Sequence, residues 1–287
     1  MRLITLGVFY FLLASCTFKG NSEPEKFKVI STDEDKEIVE QILELFADEK
    51  SSPTSVLMVK LGTYFEGTPY VAHTLEQGEE EQLVVNLRGL DCTTLVENGL
   101  ALAKTIQSDE HTFEQFTKEL KNVRYRSGKI EGYPSRLHYT TDWIFDNQQK
   151  KLVRNLSKEI GTTPYPKEIN FMSTHPDSYR QLKDSSKLLT IIVQKESDIN
   201  SRQHFYIPEE KLAEVEDQLM DGDIVGITTS IEGLDISHMG ILVRKAGRIH
   251  LLHASSAAEK VVLSEETLEE YLLSSKSATG IMVARPL

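Results

Sequence analysis

The chain has 287 residues, of which 39% are hydrophobic, so it is long enough to bury one large core or two small ones. Its formal net charge is −12 at pH 7. A nucleic-acid-binding protein needs a basic surface to neutralise phosphates, so this charge argues against nucleic acid as a partner.

The first residues carry a targeting signal. Arg2 precedes an apolar stretch over 3–13, which is shorter than the roughly 20 residues that cross a bilayer as a helix. The sequence Leu13-Ala14-Ser15-Cys16 resembles a bacterial lipobox. We therefore expect residues 1–15 to be a signal peptide and Cys16 to be the lipidated residue. The protein would then face the periplasm from the inner or the outer membrane. An ordinary secretory signal with an incidental cysteine is the alternative.

This assignment isolates the second cysteine. The chain has only two cysteines, and if Cys16 carries lipid, then Cys92 has no intramolecular partner. An unpaired thiol in an oxidising compartment is a liability unless its chemistry is needed, although many free thiols are simply buried and inert.

The sequence of the N-terminal half predicts a tether followed by helices. Residues 16–30 are rich in polar and turn-forming residues and predict a flexible tether. Apolar residues at three- and four-residue spacing, together with capping residues, predict the helices that follow. The first starts after Ser31 or Thr32, the second spans 54–61 and ends near Gly62, the third starts after Asp91, and the fourth spans 112–123.

The C-terminal half changes character. The segment 124–186 is mixed and rich in turns, and we interpret it as an insertion. Short runs of β-branched and apolar residues predict strands at 188–193, 223–229, 238–245, 248–254, 261–263 and 280–285. Helices followed by a mostly antiparallel sheet indicate an α+β fold. We expect residues 31–287 to form one catalytic domain.

The position of Cys92 favours nucleophilic chemistry. It stands at the start of the predicted third helix, directly after Asp91. Free backbone N–H groups and the helix dipole at such a terminus stabilise a thiolate, and the same N–H groups can bind the oxyanion of an acyl-transfer intermediate. A cysteine used only as a small residue at a helix start is the alternative.

A cysteine nucleophile needs an imidazole base, and one predicted hairpin supplies two imidazoles. If Ala246 and Gly247 form a two-residue turn, Lys245 pairs with Arg248 and the numbers of paired residues sum to 493. His238 then faces Ser255, and His253 faces Gly240. Diagonal neighbours on one face of a sheet have Cα atoms about 7–8 Å apart, so His238 and His253 can hydrogen-bond. His250 has the opposite parity and points to the other face.

These motifs, taken together, resemble those of NlpC-type papain-like hydrolases. The segments 90–97, 221–225, 237–241 and 252–255 occur in the order found in that superfamily. Two further segments, 67–70 and 135–143, resemble its N-acetylmuramoyl-L-alanine amidase-like branch, some of whose members prefer 1,6-anhydro-muropeptides. The resemblance covers the chain from about residue 56 to its end.

The resemblance implies a papain-like fold, with a helix-borne cysteine packed on an antiparallel sheet that carries the histidine. It assigns Cys92 as nucleophile, His238 as general base and acid, and His253 as the residue that orients His238. Tyr70 would polarise the scissile carbonyl or hold substrate. Residues implied to bind substrate are Asp91, Arg136, His138, Tyr139, Asp142, Trp143 and Ser237. Within this set, Arg136 could pair with a stem-peptide carboxylate and Trp143 could stack on a sugar, although a core position is equally compatible with Trp143.

The expected activity is that of a cysteine-dependent amidase that cuts the bond between N-acetylmuramic acid and L-alanine in peptidoglycan fragments. A D-γ-glutamyl-diamino acid endopeptidase with the same residues is the nearest alternative. A non-catalytic peptidoglycan-binding lipoprotein is the alternative from another class. We expect no metal and no other cofactor, and we expect a monomer. Which amide is cut and whether the anhydro sugar is required stay open.

Overall fold

A computed structural model describes residues 27–287 of the chain. The predicted signal peptide, Cys16 and most of the predicted tether lie outside the described residues. The end of that tether belongs to the fold, because strand β1 (Val29–Ile30) pairs in parallel with β2 (Leu83–Val84). The tether therefore ends before residue 29 rather than at residue 30.

Nine α-helices are formed within residues 27–287. They are α1 (Asp33–Leu45), α2 (Thr54–Tyr64), α3 (Cys92–Gln107), α4 (Phe113–Arg124), α5 (Thr140–Gln149), α6 (Phe171–Thr174), α7 (Ser186–Asn200), α8 (Leu212–Val215) and α9 (Leu268–Ser274). Helices α1 to α4 match the four helices predicted from the sequence. Two of them begin at the predicted caps, since Thr32 and Asp91 each accept a hydrogen bond from the backbone N–H three residues later.

The remaining strands build one antiparallel sheet. They are β3 (Val153–Asn155), β4 (Thr163–Pro164), β5 (Phe205–Pro208), β6 (Ile224–Thr229), β7 (Ile236–Lys245), β8 (Arg248–Ser255), β9 (Lys260–Thr267) and β10 (Ala278–Pro286). Their order is β4-β5-β10-β6-β7-β8-β9, and β3 also pairs with β10. The predicted α+β class and the antiparallel sheet are confirmed.

One predicted strand is wrong. The run 188–193 lies inside helix α7, whose N-cap Ser185 accepts a hydrogen bond from the Leu188 backbone N–H. The buried residues of α7 are Ile192, Glu196 and Ile199, which follow helical spacing. A short apolar run fits a strand or a helix equally well by periodicity, and here the helix-compatible residues on either side decide the outcome.

The sheet has a buried core on each face. On β7, Ile241 belongs to the core under the N-terminal helices, whereas Leu242 belongs to the core on the opposite face. Helix α2 approaches the sheet closely, because a Cβ atom at Gly62 would lie 2.5 Å from Leu252 Cδ2. Helix α3 packs across β7 and β8 and so brings Cys92 to the sheet. No helix of the described residues is both long and apolar enough to cross a membrane.

Candidate active site

Cys92 is the first residue of α3, and Asp91 fixes the start of that helix. The Asp91 carboxylate accepts a hydrogen bond from the Thr94 backbone N–H at 2.8 Å, and the Thr94 hydroxyl accepts one from the Asp91 backbone N–H at 2.8 Å. Both halves of a capping box are therefore present. The half-buried thiol of Cys92 is held at a defined helix start, as the sequence predicts.

The β7–β8 hairpin brings the two predicted imidazoles together. The observed pairs run from Lys245 with Arg248 to Ile241 with Leu252, which is the predicted register. His238 and His253 lie beyond the last of these pairs, so the expected pairing of His238 with Ser255 is not part of the ladder. Their rings nevertheless meet, with His238 Nε2 2.6 Å from His253 Nδ1 and the ring planes at 87°.

The open end of this hairpin adjoins the thiol. The Cys92 sulfur lies 3.9 Å from the Thr93 hydroxyl, and the backbone of Met239, the residue after His238, is close enough to lower the pKa of the thiol. The Thr93 hydroxyl also contacts the Met239 sulfur at 3.8 Å. Cys92 therefore stands beside the strand that carries His238.

The electrostatics of this group differ from the expectation. Burial, reinforced by the charge of Asp91, raises the pKa of the Cys92 thiol to about 11, although backbone N–H groups oppose the rise. Burial lowers the pKa of His238 to about 3, with a further contribution from His253, and burial alone lowers the pKa of His253 to about 4. The expected stabilisation of the thiolate by the helix terminus is thus outweighed by desolvation. At pH 7 the free site holds a neutral thiol and neutral imidazoles.

Tyr70 lies where the resemblance places it, near the thiol. Its segment is joined to the start of α3 by a bridge between Tyr70 and Leu90 and a hydrogen bond from the Val71 N–H to the Leu90 carbonyl. Desolvation, together with the nearby Cys92 and Asp91, raises the pKa of Tyr70. The phenol therefore keeps its proton at neutral pH and can donate a hydrogen bond.

Tyr271 is a site residue that the sequence reasoning missed. It lies on α9, with its ring stacked near His238 (centroids 6.2 Å apart) and edge-on to His253 (5.6 Å). Burial raises its pKa, and so does the charge that Cys92 can carry, which places the phenol within electrostatic range of the thiol. No local motif marks it, because α9 was not predicted and its approach to β7 and β8 depends on the sheet topology.

A cleft of about 490 Å³ is lined by Asp91 and Thr93, the two residues that flank Cys92 at the start of α3. The residues predicted to bind substrate that line it are Asp91, Arg136 and His138. Arg136 is 6% exposed and forms ion pairs with Glu76 (2.5 Å) and Glu81 (3.6 Å). Its charge is already neutralised, so the expectation that it binds a substrate carboxylate needs correction.

Three other predicted substrate residues lie in the interior. Trp143 is 1% exposed and belongs to the main core, so it does not stack on a sugar. The Tyr139 hydroxyl donates to Glu196 at 2.7 Å, and Asp142 pairs with Arg126 and Arg202. These contacts tie the insertion to helix α7 and to the residue Arg202 that follows it.

Ser237 is exposed beside His238, and its hydroxyl donates weakly to the Ile227 carbonyl at 3.4 Å. His250 lies on the opposite face from His253, as predicted, where Nδ1 contacts the Ser264 carbonyl at 3.1 Å. Across residues 27–287, no three His, Cys, Asp or Glu side chains are grouped so that they could hold a metal ion.

Comparison with known proteins identifies a family. The model of the N-acetylmuramoyl-L-alanine amidase-like family matches residues 60–281. An N-acetylmuramoyl-L-alanine amidase from Bacteroides uniformis, solved by crystallography, is 37% identical, with a TM-score of 0.78 over 81% of this chain and 98% of that one. No curated protein matches the chain significantly in sequence.

Two further crystal structures are similar. A Bacteroides fragilis protein, provisionally named a xylanase, is 38% identical, with a TM-score of 0.73 over 79% of this chain and 99% of that one. Protein LPG0564 from Legionella pneumophila is 24% identical and shares the fold, with a TM-score of 0.65 over 88% of this chain and 95% of that one.

Proposed function

The chain belongs to the N-acetylmuramoyl-L-alanine amidase-like family of cell-wall hydrolases. We propose that it cleaves the amide between N-acetylmuramic acid and L-alanine, with Cys92 as the nucleophile. The observation that carries the proposal is the 2.6 Å contact between His238 and His253, with Met239, the residue after His238, in contact with Thr93, the residue after Cys92. The NlpC-type resemblance of these motifs assigns the same three residues.

The contact between the imidazoles supports one direction of proton transfer. His238 Nε2 is engaged with His253, which leaves His238 Nδ1 to accept the thiol proton. His238 Nδ1 can accept a proton only if the hydrogen of the neutral His238 ring is on Nε2. That N–H then donates a hydrogen bond to His253 Nδ1. His253 thus selects the tautomer of His238 and stabilises the imidazolium that forms, which is the role of the third member of a triad.

The proposed reaction has two stages, acylation of Cys92 and hydrolysis of the resulting thioester. Cys92 Sγ attacks the lactyl carbonyl carbon while its proton passes to His238, and the oxyanion accepts hydrogen bonds from the N–H groups at the start of α3 and from Tyr70. The C–N bond breaks as His238 returns the proton to the L-alanine nitrogen. Water, deprotonated by His238, hydrolyses the thioester and restores the thiol.

An amide fits this site better than a glycosidic bond. Hydrolysis of a glycosidic bond usually requires two carboxyl groups, one as acid and one as base or nucleophile. The carboxylates that line the cleft already have partners, since Glu76 pairs with Arg136, Asp91 caps α3 and Glu97 pairs with Arg124.

Product analysis tests the proposal. The purified chain should release free disaccharide and an intact peptide beginning with L-alanine from a defined muropeptide, as read by mass spectrometry. Cys92→Ala should reduce the rate by at least about 10³-fold, as loss of a nucleophile does. An endopeptidase would instead leave L-Ala-D-Glu on the sugar, and full activity of Cys92→Ala would refute the cysteine mechanism.

We also propose soluble 1,6-anhydro-muropeptides as the preferred substrates and an envelope location through lipid on Cys16. The first rests on the resemblance of segments 67–70 and 135–143, and the second on the lipobox-like sequence. Equal rates on anhydro and reducing muropeptides would contradict the first. Release of the chain from membranes by Cys16→Ala, with the unchanged chain retained there, is expected from the second.

A further inference from the structure

The cleft is lined by residues from two distant parts of the chain. Asp91 and Thr93 flank Cys92 in sequence, whereas Ser178, Tyr179 and Arg180, the rim residues, come from a later segment. These three rim residues belong to the insertion, and no sequence motif marked them. A volume of about 490 Å³ suits a group of ligand size rather than a single water-filled gap.

Arg180 is the cation of this cleft that is available to a ligand. Its guanidinium is exposed, and NH2 donates to the backbone carbonyls of Glu76 (3.3 Å) and Gly78. Within residues 27–287 it pairs with no carboxylate, in contrast to the buried Arg136. The two carbonyls hold one edge of the guanidinium and leave the other N–H groups to bind a substrate.

Glu76 adds a complementary group. Its Oε1 pairs with Arg136, while its Oε2 is buried and has no hydrogen-bond partner in the described part of the chain. A buried acceptor without a donor is costly unless a ligand satisfies it. The wall of the cleft thus offers a cation for a carboxylate and an acceptor for an N–H group.

The chemistry of the proposed substrate decides which side of the scissile bond enters this cleft. The muramoyl side is neutral near the lactyl carbonyl, whereas the peptide side carries amide N–H groups and carboxylates. In a stem peptide linked through the γ-carboxyl of D-glutamate, the α-carboxylate of that residue is free, one residue beyond the L-alanine nitrogen. A cleft with an available guanidinium therefore suits the peptide.

Resting on the proposed function, we propose that this cleft is the leaving-group subsite and that Arg180 binds the free α-carboxylate of the D-glutamate. A guanidinium pairs with a carboxylate through two parallel N–H···O bonds, which discriminates it from the neutral amide of D-isoglutamine. Arg180 is then the residue that sets specificity for the acid form of the stem peptide.

The test compares two substrates and three forms of the full chain. The substrates are disaccharide-L-Ala-D-Glu with a free α-carboxylate and the same compound with that group amidated. The enzymes are the unchanged chain, Arg180→Gln, and Lys183→Gln as a matched control on an exposed cation outside the cleft. We measure kcat and KM for each combination.

We expect the unchanged chain and Lys183→Gln to favour the acid substrate by roughly 10- to 100-fold in kcat/KM, mostly through KM, the range of one charge-assisted hydrogen bond. Arg180→Gln should lose this preference, because its kcat/KM on the acid substrate should fall to about the value it has on the amidated one. Cleavage without discrimination by the unchanged chain, or an equal loss on both substrates in Arg180→Gln, would overturn the inference but not the proposed function. Failure to cleave either substrate would overturn both.

Discussion

At the scale of single residues, the main feature is that the thiol and the base are both neutral at rest. Burial moves the pKa of Cys92 up to about 11 and that of His238 down to about 3, so in the free site the proton stays on the sulfur at neutral pH. The sequence placed Cys92 at a helix start, which favours the thiolate. It could not show how deeply the fold desolvates the sulfur, and desolvation is the larger effect.

Alkylation of Cys92 by iodoacetamide should therefore be slow at pH 7 and accelerate about tenfold per pH unit up to about pH 10, because only the thiolate reacts. The rate of alkylation is measured by peptide mapping. The Cys92→Ala variant is the control, because any label that it takes up comes from Cys16. His238→Gln should change the profile little. A fast plateau between pH 5 and 7 that disappears in His238→Gln would instead demonstrate a preformed thiolate–imidazolium pair.

At the scale of elements, the start of α3 couples stability to reactivity. The Asp91 carboxylate accepts the Thr94 N–H and so caps the helix, while its charge raises the pKa of the neighbouring Cys92. The two effects can be separated, because asparagine keeps an accepting oxygen and loses only the charge.

Asp91→Asn should leave stability nearly unchanged and lower the pKa of Cys92. Asp91→Ala should lower that pKa as well and also cost about 1 kcal/mol of unfolding free energy through loss of the cap. Urea unfolding and the pH profile of alkylation measure the two quantities. An unchanged Cys92 pKa in both variants would show that the Asp91 charge does not act on the thiol.

Some secondary-structure elements could be predicted from local sequence alone. The β7–β8 register followed from a two-residue turn and strict alternation, and the start of α3 followed from a capping residue, so both were predicted. Helix α7 was not, because its apolar run at 188–193 is too short to define a period.

At the scale of the whole molecule, the site is assembled from parts that are distant in sequence. Tyr271 reaches the imidazoles from α9, and Arg180 reaches the cleft from the insertion. Neither contact follows from periodicity, because each depends on how helices and loops cross the sheet. Trp143 illustrates the converse, since its motif suggested a sugar contact but the fold uses it as core.

Buried histidines should make the whole domain sensitive to acid. Burial lowers the pKa of His138 to about 3, while an unfolded histidine titrates near 6.5, so protons bind the unfolded chain first as the pH falls. The stability that neutral His138 supports is complete above pH 6.5 and is lost progressively toward pH 3.

His138→Gln, which can still donate to the Tyr133 carbonyl that His138 Nε2 contacts at 2.9 Å, should remove this component. Between pH 7.5 and 4.5 the unchanged chain should lose about 3 kcal/mol more unfolding free energy than the variant, measured by urea titration. Identical losses would mean that His138 is not protected from protonation in the folded chain.

The mass of the covalent intermediate shows both which residue is the nucleophile and which amide bond is cut. A defined anhydro-muropeptide is mixed with the chain and quenched in acid within the first turnover, and the adduct is located by peptide mapping. We expect a disaccharide-lactyl group, joined as a thioester, on Cys92. A stem-peptide acyl group on Cys92, or undiminished turnover by Cys92→Ala, would contradict it.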